Sequence, residues 1–292
     1  MKTKTIIFSS LLSLTFDAFS APEEILVWNR IEQGNPGLYT VLKVALDKTS
    51  AEYGAYQLTV TDRMEQGRVV RALADNKFVH VAAFAPSEDR EAELIPIRIP
   101  VTKGLLGFRV CLVKADNLGK FQDIASLSDW KRKKITIGQG THWPDTAILE
   151  SNGLAVIKSS QYQPLFEMLT RKRFDCFSRS ISEILPEHDK YKHLGLAVEP
   201  NILLVYPLPT FFFVSKKNPV LAERIQKGML LALESGELDQ IFIDNYSETL
   251  KSLNLDKRVY IRLDNPFLTP QTQQALTNEK LLYQPRQRQD LH

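Results

Sequence analysis

The sequence predicts an α/β protein of two lobes, each a mainly parallel sheet flanked by helices, with a ligand cleft between them. Three observations carry that prediction. Short runs of β-branched and aromatic residues alternate with segments whose apolar positions recur at helical spacing. The alternation begins near Ile25 and begins again near Leu127. The 292 residues are 43% hydrophobic and 24% charged, and single cores seldom outgrow roughly 250–300 residues. Such a composition excludes a disordered chain, a collagen-like repeat and a disulfide-stapled mini-protein. The 37 Lys+Arg against 34 Asp+Glu leave a formal charge of +3. No run reaches five like charges, Lys131-Arg132-Lys133-Lys134 being the densest, so the chain carries no nucleic-acid footprint.

Residues 1–20 stand apart. Lys2 and Lys4 precede an apolar run from Ile6 to Phe16, and Ala18-Phe19-Ser20 places small residues before Ala21. These are the three parts of a secretory signal peptide cleaved after Ser20, which predicts an exported, periplasmic protein. The run is too short to span a hydrocarbon core needing about 20 residues, and no Cys lies near the cut to accept a lipid.

From Ala21 the elements follow in order. Ile25 to Trp28 is a short strand, and Gly34-Asn35-Pro36-Gly37 a turn. Leu38, Val41, Leu42, Ala45 and Leu46 mark a helix. Tyr56–Val60 and Phe78–Phe84 are strands on either side of a helix over Met64–Ala74. Leu94–Val101 carries Pro96 and Pro100, which suits an edge strand or irregular connection. Phe108–Lys114 is a strong strand. In the second series Ser128 or Asp129 caps a short helix, and Ile135–Gly138 is a strand turning at Gly138 and Gly140. Pro144–Asn152 is a helix with Pro early and Gly153 just past its end. Val156-Ile157 is a strand, Tyr162–Thr170 a helix, Phe174–Ser178 a strand and Ile181–Leu185 a short helix. Leu194–Glu199, Ile202–Tyr206 and Phe211–Ser215 are strands, and Pro219–Ser235 and Leu238–Tyr246 helices. From Pro266 the Gln-, Pro-, Thr- and Arg-rich chain is expected to dock loosely.

The boundaries that follow are a first lobe over 21–108 and 206–265, a second over 109–205, and a tail over 266–292. Cys111 and Cys176, each in an apolar strand-like run, are expected as free buried thiols, with a disulfide as the alternative. Neither has zinc-ligand spacing, and no cofactor motif is present.

This order resembles the bacterial solute-binding protein family 3, the periplasmic amino-acid-type substrate-binding proteins of ABC transporters. Pro86-Ser87-Glu88-Asp89-Arg90 is similar to its T-x-E-R-like stretch, and Ile135–Thr141 to its strand with a Gly-Thr turn. Phe211 to Pro219 is similar to its returning strand and K-x-x-P turn, and Glu234 to Phe242 to the break before its last helix. The resemblance runs in order from residue 22 to about 250. It implies the type II periplasmic binding fold, a monomer, a small carboxylate-bearing ligand, and a transporter permease or membrane sensor as partner. On that basis Arg90 offers a planar fork to the carboxylate, unless it merely pairs Glu88 or Glu91. Gly140 and Thr141 form an anion seat before the helix at Pro144, or simply cap it. The second-lobe position where the family places an acidic residue for the ligand's ammonium carries Arg179, with Glu183 one turn on and Asp175 read as structural. Arg179 would suit a second anionic group and Glu183 a cation. His142, Trp143, Tyr39 and, at lower rank, Tyr206 are lining candidates, and Trp28-Asn29-Arg30 replaces the family's aromatic-Pro approach.

Two other functions suit the same scaffold. One is an enzyme like the cyclohexadienyl dehydratases, with Glu183 or His142 as general acid. The other is an interaction protein that binds no ligand.

Overall fold

A computed structural model of the chain describes residues 21–33 and 36–284. The expected signal peptide, Gly34-Asn35 of the turn and residues 285–292 lie outside the described residues.

The first run comprises β1 (Glu23–Val27), α1 (Asn29–Gln33), α2 (Pro36–Lys48), α3 (Ser50–Tyr53), β2 (Tyr56–Val60), α4 (Gln66–Ala74), β3 (Val81–Phe84), α5 (Glu88–Glu93) and β4 (Leu94–Ile97). The second comprises β5 (Phe108–Lys114), α6 (Leu127–Arg132), β6 (Thr136–Gly140), α7 (Pro144–Ser151), β7 (Ala155–Ser159), α8 (Gln163–Thr170), β8 (Cys176–Ser180), α9 (Ile184–Tyr191), β9 (Leu196–Val198) and β10 (Ile202–Val205). The chain then continues through β11 (Phe211–Ser215), α10 (Pro219–Glu234), α11 (Glu237–Ser252), β12 (Val259–Arg262) and α12 (Pro270–Ala275).

Two sheets result. In the first, the order is β2-β1-β3-β11-β4, with β11 antiparallel to both neighbours. Phe211–Val214 is buried on both faces, as a central strand must be. Phe212 and Val214 face α2 and α10, while Phe211 and Phe213 face Trp28, Val69 and Leu73. β4 lies at the edge, where its Pro96 removes no needed donor. In the second sheet the order is β12-β10-β5-β8-β6-β7, with β9 alongside β5. Its parallel pairs are β6 with β7 and β8, and β10 with β12; those of β5 are antiparallel. Both sheets are therefore mixed rather than mainly parallel. Helices cover both faces of each.

Three expectations need correction. Cys111 and Cys176 form a disulfide between β5 and β8, with Cα atoms 5.0 Å apart. Cys111 lies opposite Ser178, so the second cysteine is its diagonal neighbour and within bonding reach. Residues 206–265 do not all return to the first lobe, because β12 pairs with β10 from Ile202↔Val259 to Val205↔Arg262. There Ile261 and Leu263 complete the core over the second sheet, and α11 passes from Leu238 on the first core to Phe242 and Tyr246 on the second. The tail is docked through α12, where Thr272 is fully buried and hydrogen-bonds Glu91 at 2.8 Å. Smaller differences are local: Ser126, not Ser128 or Asp129, caps α6, and the helix expected at 181–185 begins at Ile184.

Candidate functional site

α/β sheets offer loops and helix starts to a ligand beyond the carboxyl ends of their strands, which here are those of β1 and β3 in one lobe and of β6 and β8 in the other. Chain reversal at those ends brings polar side chains onto facing walls. Arg30 follows β1 and Arg90 follows β3. Trp143 and Asp145 follow β6, and Glu183 follows β8. The walls sense one another electrostatically, since Asp145 acts on Arg90 and Arg30 acts on Glu183.

Arg90 sits in the first turns of α5, whose cap is the Ser87 hydroxyl. Its Nη1 donates to the Ala85 carbonyl at 2.6 Å, and the guanidinium lies 4.7 Å over the Phe84 ring. Glu91 is engaged elsewhere, with Arg98 at 2.5 Å and the Thr269 and Thr272 hydroxyls. Glu88 is exposed. Among the described residues Arg90 forms no ion pair. Burial, only partly answered by Asp145 and Asp89, holds its guanidinium down at about 10.

The second wall is a network of opposite charges. The buried Asp145 accepts from the Arg109 guanidinium and, at 2.6 Å, from the Tyr206 hydroxyl. It sits in the first turn of α7, so the protein's own carboxylate occupies the dipole-favoured position there. Burial disfavours the charged Arg109, but Asp145, Tyr206 and Glu183 outweigh it and raise its pKa. Glu183 lies 3.0 Å from Arg179 and 3.8 Å from Arg109, with 37% of its side chain exposed. Burial pushes the Glu183 carboxyl up; Arg179, Arg109 and Arg30 overcome that and hold it below the usual range.

Arg179 is enclosed. Its Nε and Nη2 donate to the two oxygens of Glu187, each at 2.6 Å. Its guanidinium lies 5.0 Å from the ring centres of Trp143 and Phe177 and 5.5 Å from that of Tyr162. Trp143 stacks on Phe177 with planes 11° apart, and a Cβ at Gly140 would meet its indole at 2.6 Å. Gly140 is thus the residue that lets Trp143 close over the sheet.

The structure brings Arg90, Gly140, Trp143, Arg179 and Glu183 to the cleft and its second wall, together with Asp145 and Tyr206. Thr141 and His142 are exposed at the same turn, and the Thr141 N–H already donates to Ser159 at 2.9 Å. His142 shares no proton with Asp145, whose partners are Arg109 and Tyr206. Tyr39 does not join the others: it lies on α2 beside a separate cavity of about 420 Å³ lined by Lys43, Asp47 and Tyr56. Sequence reasoning missed Arg109, Tyr162, Phe177 and Glu187. Phe177 and Arg179 share one face of β8 by strand alternation, which was the available signal.

Comparison with known proteins follows the same line. No family model matches the chain, and no curated protein matches it. Among solved structures, an ancestral arginine-binding protein bound to arginine shares 19% identity over 70% of this chain and 85% of its own, with a TM-score of 0.52. The arginine-, lysine-, histidine-binding protein ArtJ from Geobacillus stearothermophilus shares 13% identity over 80% and 100%, with a TM-score of 0.53. A structure from work on glutathione import by GshT and the cystine ABC importer TcyBC of Streptococcus mutans shares 12% over 77% and 95%, at 0.58. The chain therefore has the two-lobed periplasmic-binding-protein fold that the resemblance in its sequence implied, and the structures it resembles include amino-acid-binding proteins and the substrate binding protein of an amino acid ABC transporter.

Proposed function

We propose that the protein is a periplasmic solute-binding protein that closes on a small carboxylate-bearing ligand, amino-acid-like or an organic anion. It would deliver the ligand to a transporter permease or report it to a membrane sensor. The observation that carries this reading is Arg90: a partly buried guanidinium at a strand end, fixed by Ala85 and Phe84, with no carboxylate of its own among the described residues. Arg109 and Arg179, by contrast, are each paired within the protein. A carboxylate arriving at Arg90 would supply the charge that burial leaves unanswered, through a bidentate bond. Gly140 and Thr141 stand at the end of β6 in the other lobe, and a ligand that reached them as well as Arg90 would favour the closed state. Trp143 and His142 would line the space, and Glu183, its carboxyl held below the usual range, would receive a cationic group.

The disulfide agrees with export, because such bonds persist in oxidising compartments. The similar structures bind arginine in one case and arginine, lysine and histidine in another. As the general acid of a dehydratase-like reaction Glu183 would have to stay protonated, whereas three arginines hold it the other way; His142, the other candidate, is exposed at the turn before α7. Nothing in the geometry favours that reading.

The test is a calorimetric and thermal-shift screen of amino acids and organic acids on the wild type and on Arg90→Ala. A ligand of the wild type should lose about 1.5–3 kcal/mol of binding in the variant, roughly 10- to 150-fold in Kd. Equal affinity of the two proteins for that ligand removes Arg90 from the site.

A further inference from the structure

Arg179 is held as a ligand would be held. Its planar cation meets a carboxylate fork at Glu187, a second carboxylate at Glu183, and the faces or edges of three aromatic rings within about 6 Å, the range of cation–π attraction. The Tyr162 hydroxyl donates to Glu187 at 2.6 Å and fixes the fork. The side chain is 6% exposed, while Glu183 at the rim is 37% exposed and faces the cleft, where Arg30 acts on it. The strand that presents Arg179 ends at Ser180, so the cage opens at the same strand ends that form the second wall. The cage has the makings of a receptor pocket for a free guanidinium, but its occupant is covalently attached to it.

We infer that Arg179 is a specificity-determining residue: it fills from within the protein an aromatic and acidic cage that would otherwise take a ligand's guanidinium group, so the cleft admits solutes without a cationic side chain of that kind. This rests on the cleft-binding reading above and deepens it. The charges give the reason the filling matters. Asp145, Glu183 and Glu187 face Arg109 and Arg179 on this wall. Without Arg179, three carboxylates would face one guanidinium, in a site already dry enough for charge attraction to be strong.

The experiment replaces the tethered cation by a free one. Arg179→Ala is prepared with and without methylguanidinium chloride, and binding of methylguanidinium and of free arginine is measured by calorimetry and thermal shift. The variant should bind methylguanidinium saturably and at least about tenfold more tightly than the wild type. That binding should vanish in Arg179→Ala/Glu187→Gln, and in Arg179→Met, which refills the space without charge. If Arg179→Ala folds only when methylguanidinium is present, the inference is equally supported. No binding by the folded variant, or failure of methylguanidinium to recover an unfolded one, overturns it. So does free arginine binding the wild type as tightly as the variant. The cleft reading fails separately: if no carboxylate solute binds the wild type, that reading falls although the cage accepts methylguanidinium. If a solute binds through Arg90 and the cage stays inert, only the inference falls.

Discussion

At the scale of single residues, the molecule distinguishes buried charges that are answered internally from one that is not. Asp175 is of the first kind. It accepts from the Thr136 N–H at 2.9 Å, the Thr136 hydroxyl at 3.0 Å, Lys120 at 2.6 Å and Asn117 at 3.2 Å, pinning the start of β8 to that of β6. Burial pushes the Asp175 carboxyl up, and the Lys120, Thr136 and Asn117 donors outweigh it and lower its pKa. A carboxyl depressed in the fold stabilises it fully above the unfolded value near 3.9, and that contribution fades as pH falls through the folded value. Asp175→Asn should therefore cost about 1–3 kcal/mol in urea unfolding at pH 7. The gap to the wild type should narrow as the pH is lowered below about 4. A gap independent of pH would assign the loss to shape alone. The structural role of Asp175 was implied by the resemblance of its segment to the family's strand start. That Arg90 forms no ion pair among the described residues was not legible in the sequence, because Glu88 and Glu91 flank it in the chain and only the fold commits Glu91 to Arg98.

At the scale of elements, the disulfide joins β5 and β8, the two strands that carry Arg109 and Arg179. It closes a loop across 65 positions, and the chain-entropy estimate for such a loop is about 4 kcal/mol. Cys111→Ser with Cys176→Ser should lower unfolding stability by about 2–4 kcal/mol, read from chemical denaturation with the reduced wild type alongside. Loss of cleft binding in the same variant at temperatures where it stays folded would tie the bond to the positions of those arginines. The strands themselves were readable from their β-branched and aromatic runs: Tyr56–Val60, Phe108–Lys114 and Phe211–Ser215 appear at the expected bounds. The pairing was not readable, since two apolar runs give no sign that they are neighbours in a sheet. For the same reason β12 went unseen. Its short Val259–Arg262 segment gains its apolar surroundings only from β10 and the core beneath.

At the scale of the whole molecule, the chain crosses between the two lobes again after β12. After β12 it leaves the second lobe, where Asp264 and Asn152 exchange hydrogen bonds of 2.8 and 3.1 Å. Asn265 then donates to the Pro207 carbonyl in the crossing segment, at 2.7 Å. Thr269 and Thr272 reach Glu91 on the first lobe, Arg98 joins them, and Leu268 is buried alongside. Farther on, the Tyr283 N–H donates to Lys103 and its ring meets Phe108 and Phe242. The seven residues from Leu263 to Thr269 can extend to at most about 25 Å, and Pro266 within them restricts the path. Any opening of the lobes has to stretch this connection or undock α12. Ending the chain after Asn265 should therefore enlarge the ligand-free radius of gyration in small-angle scattering, while a bound solute should restore the wild-type value. Uncovering the Leu268 site and freeing Glu91 should also cost about 2 kcal/mol of stability. The milder Thr272→Val, which keeps the packing and removes the hydroxyl's bonds to Glu91 and from Arg98, should shift the same radius in the same direction by less. If the shortened chain has the wild-type radius with and without solute, the segment is packing alone, and the lobe separation is set by the crossing strands near Gly107 and Tyr206.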